Sequence, residues 1–413
     1  MLDLKFIREN PDVVREAVAH RHDSAPLDEI MALDTQRRQK LLELEDLRHA
    51  RKEVSREKRE VAEEGRDLRT MIRSLEEELR NLDTHLQELL LQMPNIPHSS
   101  VPVGECEDDN IIVRSWGEPK KFDFTPLPHW TLGESLDIID FERGVRLSGS
   151  RFYVLKGLGA RLQRAIIAFM LDLHTNEHGY REIYPPYMVK KECLVGSGNL
   201  PKFADNLYHD DKEDFWFVPT AEVPLTNMHR DEVLPPGVLP INYVAYTACF
   251  RREQMSAGKD TRGIKRGHQF DKVEMYKFVE PDSSNEELEK LTSNAEHVCQ
   301  KLGLAYRVKQ LCTADLGFAS TKTYDIEVWA AGCGEWLEAS SCSNCGDFQA
   351  RRANVRYRPA SDARPQFVHT LNGSGLALPR IMIAVMENYQ QPDGSIAVPE
   401  VLQQFVGARV IKR

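Results

Sequence analysis

Residues 242–279 read NYVAYTACFRREQMSAGKDTRGIKRGHQFDKVEMYKFV, and this stretch decides the fold. Tyr243 to Glu253 and His268 to Val279 are rich in β-forming residues. Between them Gly258, Gly263 and Gly267 interrupt a run carrying Lys259, Arg262, Lys265 and Arg266. That pattern predicts two antiparallel strands joined by a basic loop. Side chains alternate along a strand, so Arg251 and Glu253 share one face of the first, and Phe270, Lys272 and Glu274 share one face of the second. The hairpin therefore offers a guanidinium, carboxylates and an aromatic ring on one sheet surface. Such a set suits a nucleotide: a cation for phosphate, a ring for a base, a carboxylate for an ammonium or hydroxyl. On pattern alone, an amphipathic hairpin with solvated charges is the competing reading.

Working outward, the 413 residues suffice for two or three domains with a large core. The formal net charge of −10 argues against general coating of nucleic acid, so any RNA contact needs a local basic patch. The first residues, MLDLKFIREN, carry charges throughout, and no run of about 18 apolar residues occurs. A soluble, cytoplasmic protein without membrane association is expected. Eight scattered cysteines fit reduced thiols. Cys342-Ser-Asn-Cys345 supplies two ligands where structural zinc takes four, so no structural zinc is expected.

Toward the N-terminus, Phe6, Val13, Val14, Ala17 and Val18 form a short helical pattern before Pro26. From Ile30 to about Leu91 there is no proline and one glycine, Gly65. Leu68, Ile72, Leu75, Leu79, Leu82, Leu86 and Leu89 recur in steps of four and three, a heptad seam. Two helical runs broken near Gly65 predict an antiparallel helical hairpin, an arm about 40 Å long at about 1.5 Å per residue. A straight dimeric coil is the rival arrangement. Between Leu27 and Gln92 the arm holds 13 Lys and Arg against 17 Asp and Glu, mostly an ordinary solvated surface. Residues 48–59 differ, with six cations (Arg48, Arg51, Lys52, Arg56, Lys58 and Arg59) against two anions. Pro94, Pro97, Pro102 and Gly104 then mark a linker, giving domains at 1–105, with the coiled coil at about 30–92, and 106–413.

Four further stretches carry pattern. Ala160 to His178 is an apolar-striped helix (Leu162, Ile166, Phe169, Met170, Leu173) stopped at Gly179, followed by a strand in YREIYPPYMV. Phe215 to Glu222, FWFVPTAE, is a buried-type strand running into a polar turn. In EWLEASSCSNCGDFQARR, from Glu335, the carboxylate of Glu338 and the hydroxyl of Ser341 lie three apart. Two hard oxygens of this kind suit Mg²⁺ beside phosphates. Finally, HTLNGSGLALPR, His369 to Arg380, opens a helix with Pro379 at its first position, and its small residues admit a ligand close to the backbone. Each is also compatible with a purely structural role.

In their order, FRRE…GHQFDKVE, the preceding helix–strand unit and the HTLNGSGLALPR segment resemble motifs 2, 1 and 3 of class II aminoacyl-tRNA synthetases. The arm and the TAEVPLT string resemble those of seryl-tRNA synthetases of the common bacterial and eukaryotic type. The resemblance covers nearly the whole chain. It implies an α+β protein, an antiparallel helical coiled-coil arm followed by an antiparallel sheet flanked by helices. It implies a ligase that activates L-serine with ATP and transfers it to tRNA(Ser), with tRNA(Sec) as a second candidate acceptor. It also implies a homodimer, ATP as substrate and Mg²⁺ as cofactor. Carried over residue by residue, Thr220, Ala221, Glu222, Glu274 and Ser374 would bind serine. Arg251, Arg252, Glu253, Gly267, Phe270, Glu338, Ala339, Ser340, Ser341 and Arg380 would bind ATP, with Glu338 and Ser341 on the metal. Arg251, Glu274 and Arg380 would carry the catalytic load, and the 48–59 cations would hold tRNA. Two positions depart from the family pattern: Arg252 stands where a small residue is usual, and Gly267 where an apolar one is. A non-catalytic RNA-binding protein on a decayed synthetase scaffold is one rival reading, and an enzyme charging a carrier protein is another. The joint presence of Arg251, Glu253, Glu274, Glu338 and Arg380 opposes the first, and the intact arm opposes the second.

Overall fold

The computed structural model describes residues 1–56, 64–254 and 262–413. Lys58 and Arg59 of the basic patch, and Gly258 and Lys259 of the hairpin loop, lie outside the described residues. The chain forms two compact units, Met1–Ile96 and Pro97–Arg413. The division falls before the 105/106 boundary expected from the prolines. Residues past it are held by the second unit: Val101 packs with Leu311 and Leu316, and Thr313 N–H donates to the Pro102 carbonyl at 2.9 Å.

The first unit is built on helices α1 (Leu27–Arg56) and α2 (Glu64–Leu90). Its core joins Leu44 to Ile72, Leu75 and Leu79, with Leu41 and Leu47 against them. The heptad seam therefore faces the partner helix, each buried leucine contributing about 1.5–3 kcal/mol. Cross-pairs fix the antiparallel sense: Arg37 with Asp83, Lys40 with Glu78 at 2.5 Å and Arg48 with Glu76 at 2.8 Å. Gly65 does not interrupt the helices as expected; it is the second residue of α2, where a Cβ would meet Val54 Cγ1 at 4.0 Å. The buried carboxylate of Asp34 is gripped by Arg8 at 2.7 and 3.1 Å and by Arg38 at 3.2 Å.

The second unit is built on an eight-stranded sheet. In chain order its strands are β1 (Ile111–Trp116), β2 (Arg181–Glu182), β3 (Ile241–Phe250), β4 (Gln269–Val279), β5 (Tyr306–Gln310), β6 (Lys322–Ala330), β7 (Glu335–Gly346) and β8 (His369–Ala377). Their spatial order is β1-β5-β6-β7-β8-β4-β3-β2, antiparallel throughout except for the β2–β3 pair. Helices α3 (Gly157–Asn176), α4 (Ser284–Lys301) and α5 (Leu378–Asn388) join its main core. All five apolar residues read from the α3 stripe are buried there. On the other sheet face Tyr276 and Phe278 pack with Leu225 and Val355. TAEVPLT is not only a turn: Glu222–Thr226 closes a short helix.

The alternation of β4 explains how the sheet makes a site. Val273, Met275 and Val279 point into the main core, whereas Tyr276 and Phe278 point into the second. On that same second face, Glu274, Lys272 and Phe270 leave the core and line an open cavity. One strand face is thus core at one end and site at the other.

Candidate active site

The cavity holds about 320 Å³ and lies above β4, β7 and β8. Two β-bulges shape it. Residues three apart on a regular strand face opposite sides, yet Glu338 and Ser341 both line the cavity. The β6–β7 register supplies the reason: Ser340 pairs with Ile326 and Glu338 with Glu327, leaving Ala339 as an extra residue that restores the face. In the same way Ser374 pairs with Glu274 and Leu376 with Val273, so Gly375 is extra. Asn372, Ser374 and Ala377 consequently share the cavity side. A Cβ on Gly375 would lie 2.9 Å from His174 Nε2, so the bulge leaves no room for a side chain.

The hairpin residues converge, though not by the expected route. The first strand ends at Phe250, so strand alternation does not place Arg251 and Glu253. Arg251 keeps a further pairing, its N–H donating to His268 O at 2.9 Å, and Glu253 turns with φ +50°. Both still line the cavity. The Arg251 guanidinium sits 5.1 Å over the Phe270 ring and donates through Nε to Pro219 O at 3.1 Å. Arg266 Nη1 lies 3.3 Å from Glu253 Oε2.

At the other end of the cavity, Glu274 is buried and ion-paired with Lys272, and Thr220 Oγ1 donates to it at 3.1 Å. Nearby, Glu222 Oε1 accepts from Gln349 at 2.6 Å and from Asn372 at 2.8 Å. Burial, then the negative charge of Glu274, pushes the Glu222 carboxyl up to about 7. A carboxylate in that state is poised to take up a cation. On the far wall Arg380 Nη1 donates to the Glu338 carbonyl at 2.6 Å and lies 3.3 Å from its Oε2.

Not every expected residue reaches the cavity. Arg252 donates to Leu207 O at 2.8 Å and covers the Tyr208 ring at 4.8 Å, outside the lining. Ala221 is buried in the second core. Ser340 is buried and donates to Ser374 O at 2.6 Å, and Thr220 acts through Glu274. Ala339 and Gly267 do line the cavity. Sequence reading missed Gln349, Asn372 and Asp325. Asn372 was within reach, two positions before Ser374 on one strand face. Gln349 carried no signal. Asp325, register partner of Ser341, has a buried Oδ1 without a hydrogen bond among the described residues. Burial, then Glu338, pushes its carboxyl well above the usual range. In the first unit, Arg51 and Lys52 are exposed, while Arg48 is tied to Glu76.

Known proteins match at every level. The family model of the class II tRNA synthetase core domain (G, H, P, S and T) matches residues 203–389, and that of the seryl-tRNA synthetase N-terminal domain matches 1–97. A serine–tRNA ligase of Dehalococcoides mccartyi strain CBDB1 is 65% identical over 413 residues, all of both chains. The chain belongs to the seryl-tRNA synthetase family. Solved structures of the family superpose closely. Pyrococcus horikoshii seryl-tRNA synthetase complexed with ATP aligns with TM-score 0.94 at 39% identity, over 100% of this chain and 99% of that one. The cytoplasmic serine–tRNA ligase of Naegleria fowleri in complex with AMP aligns with TM-score 0.91 at 32% identity, over the same shares.

Proposed function

We propose that the chain activates L-serine with ATP and transfers it to tRNA(Ser). A serine carboxylate oxygen attacks the α-phosphorus of ATP; a new P–O bond forms and pyrophosphate leaves. The 3′-terminal ribose hydroxyl of the tRNA then attacks the acyl carbon and AMP leaves. Family membership supports the reaction class. The observation that carries the site is the cavity itself, with cations at Arg251 and Arg380 and carboxylates at Glu222 and Glu274 around one space.

Arg251 would hold the α-phosphate and the substrate carboxylate through its planar fork, and Phe270 and Arg380 would flank the adenine, with Glu253 at its edge. Glu222, oriented by Gln349 and Asn372, would take the serine ammonium, and Glu274 would read the hydroxyl beside Ser374. Rate enhancement in such a site comes from positioning and charge neutralisation, so no nucleophilic side chain is required.

The donor set fits Mg²⁺: the Glu338 carboxylate and the Ser341 hydroxyl line one side of the cavity, hard oxygens of the kind the ion takes beside phosphates. When bound there, the ion would neutralise phosphate charge. Arg51 and Lys52, with Arg56, Lys58 and Arg59, would bind tRNA phosphates. A homodimer is consistent with the exposed apolar side chains Leu147 (75%) and Tyr184 (83%), which flank the motif 1 helix. Among the described residues no helix is long and apolar enough to cross a membrane, in keeping with a cytoplasmic enzyme. Amino-acid-dependent ATP–pyrophosphate exchange, followed by charging of tRNA(Ser) and tRNA(Sec) transcripts, tests the reading. Exchange with another amino acid but not with serine would overturn it.

A further inference from the structure

Away from the lining of the cavity, His129, Cys333 and Glu387 bring their ligand atoms within 4.8 Å of one another. His129 and Glu387 are fully buried. Glu387 belongs to α5, the helix whose first turn carries Arg380. Its Oε1 accepts from His129 N–H at 2.8 Å, His129 Nδ1 at 2.9 Å and Cys333 Sγ at 3.1 Å. Its Oε2 accepts from Gly332 N–H at 2.8 Å and Cys333 N–H at 2.9 Å. Burial opposes ionisation of Glu387, but hydrogen bonds from His129 and Cys333 outweigh it and hold the carboxyl below its usual range.

The remaining imidazole nitrogen decides what the cluster does. Ile264 N–H donates to His129 Nε2 at 3.2 Å. An N–H can only donate, so Nε2 carries the lone pair and Nδ1 carries the proton directed at Glu387. A metal on this triad would bind the Nδ1 lone pair and the Cys333 thiolate, releasing the thiol proton to solvent and moving the imidazole proton to Nε2, where it would face the Ile264 N–H. The observed geometry therefore opposes a metal and favours a relay of hydrogen bonds.

The adjoining residues extend the contact. Gly263 (φ +77°) packs so tightly that a Cβ would lie 2.0 Å from His129 Nε2, and Arg262 sits 4.6 Å over the Trp130 ring. Thus His129 and Trp130 clasp Arg262, Gly263 and Ile264 in succession. The next three residues, Lys265, Arg266 and Gly267, line the cavity. We propose that His129, held in one tautomer by Glu387, is a positioning residue that fixes the returning half of the hairpin loop against ATP. This rests on the ATP-binding reading above. The relay also ties the C-terminal end of the motif 3 helix to the motif 2 loop.

The test compares full-length variants by KM for ATP and for serine in pyrophosphate exchange, by kcat, and by ATP Kd from calorimetry without serine. His129→Asn keeps a donor near Glu387 but cannot reach Ile264. It should raise the ATP Kd and KM about tenfold, equivalent to about 1.4 kcal/mol, with little change in serine KM. His129→Gln places an oxygen near the Nε2 position and should recover most of the ATP affinity. Arg262 is exposed, so Arg262→Ala should fold regardless and weaken ATP binding by about two- to threefold. A folded His129→Asn with wild-type ATP Kd overturns the proposal, as does Asn and Gln behaving alike. Should His129→Asn not fold, an unchanged ATP Kd in Arg262→Ala overturns it. Failure of the wild type to exchange with serine would instead strike the proposed substrate, because ATP Kd is read without it.

Discussion

Both units of this chain are rich in charge, and they use it in opposite ways. Between the two long helices of the arm the ion pairs are open to solvent, as between Arg37 and Asp83, with side chains 31% and 52% accessible. Such pairs contribute about 0–1 kcal/mol each, and the leucine seam holds the helices together. Around the cavity the Lys272–Glu274 pair is almost wholly enclosed, and each charge there constrains its neighbours. Loss of one partner of a buried pair costs about 3–5 kcal/mol, because the other is left uncompensated. In the proposed reading, surface cations on the arm serve a polyanion, whereas buried charge in the cavity serves a small polar substrate.

The largest effect should therefore follow from Glu274. Glu274→Gln keeps the shape and removes the charge. Serine-dependent exchange should collapse, and discrimination of serine over alanine should shrink from as much as about 10⁴-fold where a hydroxyl is fully read. Thermal melting of the same variant separates lost recognition from lost stability. Unchanged discrimination would place serine reading elsewhere. Arg251→Lys comes next: it keeps the charge but loses the fork and the stack on Phe270, and exchange should drop about tenfold or more. Full activity in that variant would reduce Arg251 to a point charge.

Proton linkage at Glu222 should show a comparable but graded effect. With its carboxyl pushed up to about 7 in the free site, the group is mostly neutral at lower pH and cannot attract an ammonium. Serine KM should rise about tenfold per unit as pH falls below about 7, and level off above it. A flat serine KM between pH 6 and 8 would remove Glu222 from ammonium binding. The smallest change is expected on the arm. Arg51→Glu with Lys52→Glu should leave exchange untouched, weaken tRNA binding and reduce the salt slope of log K by about 1 for each phosphate no longer neutralised. An unaltered slope would move the tRNA-binding surface off this patch.

Periodic features were legible in the sequence, and departures from period were not. The heptads of α2, the stripe of α3 and the Phe270–Lys272–Glu274 face follow from 3.6- and 2-residue repeats, and the structure matches them. Glu338 and Ser341 share a face only because Ala339 is extruded, and no local composition announces that bulge. Of the two bulge residues at the cavity, Gly375 alone has a sequence trace, a glycine inside a strand. Gly65 misled for a related reason: a glycine can end a helix, but it can also stand within the first turn of one, as here in α2. Gln349 and Asp325 acquire their roles from chain segments distant in sequence, so single-stretch patterns carry no mark of them.

The division of labour between the two units is tested most directly by deleting residues 30–92 and measuring both half-reactions on the same preparation. Serine-dependent ATP–pyrophosphate exchange should remain within about twofold of the full chain, while charging of tRNA(Ser) should fall by at least about 100-fold, as expected when the arm's cations no longer neutralise tRNA phosphates. Charging that survives the deletion, or exchange that disappears with it in a protein that still melts cooperatively, would contradict the separation.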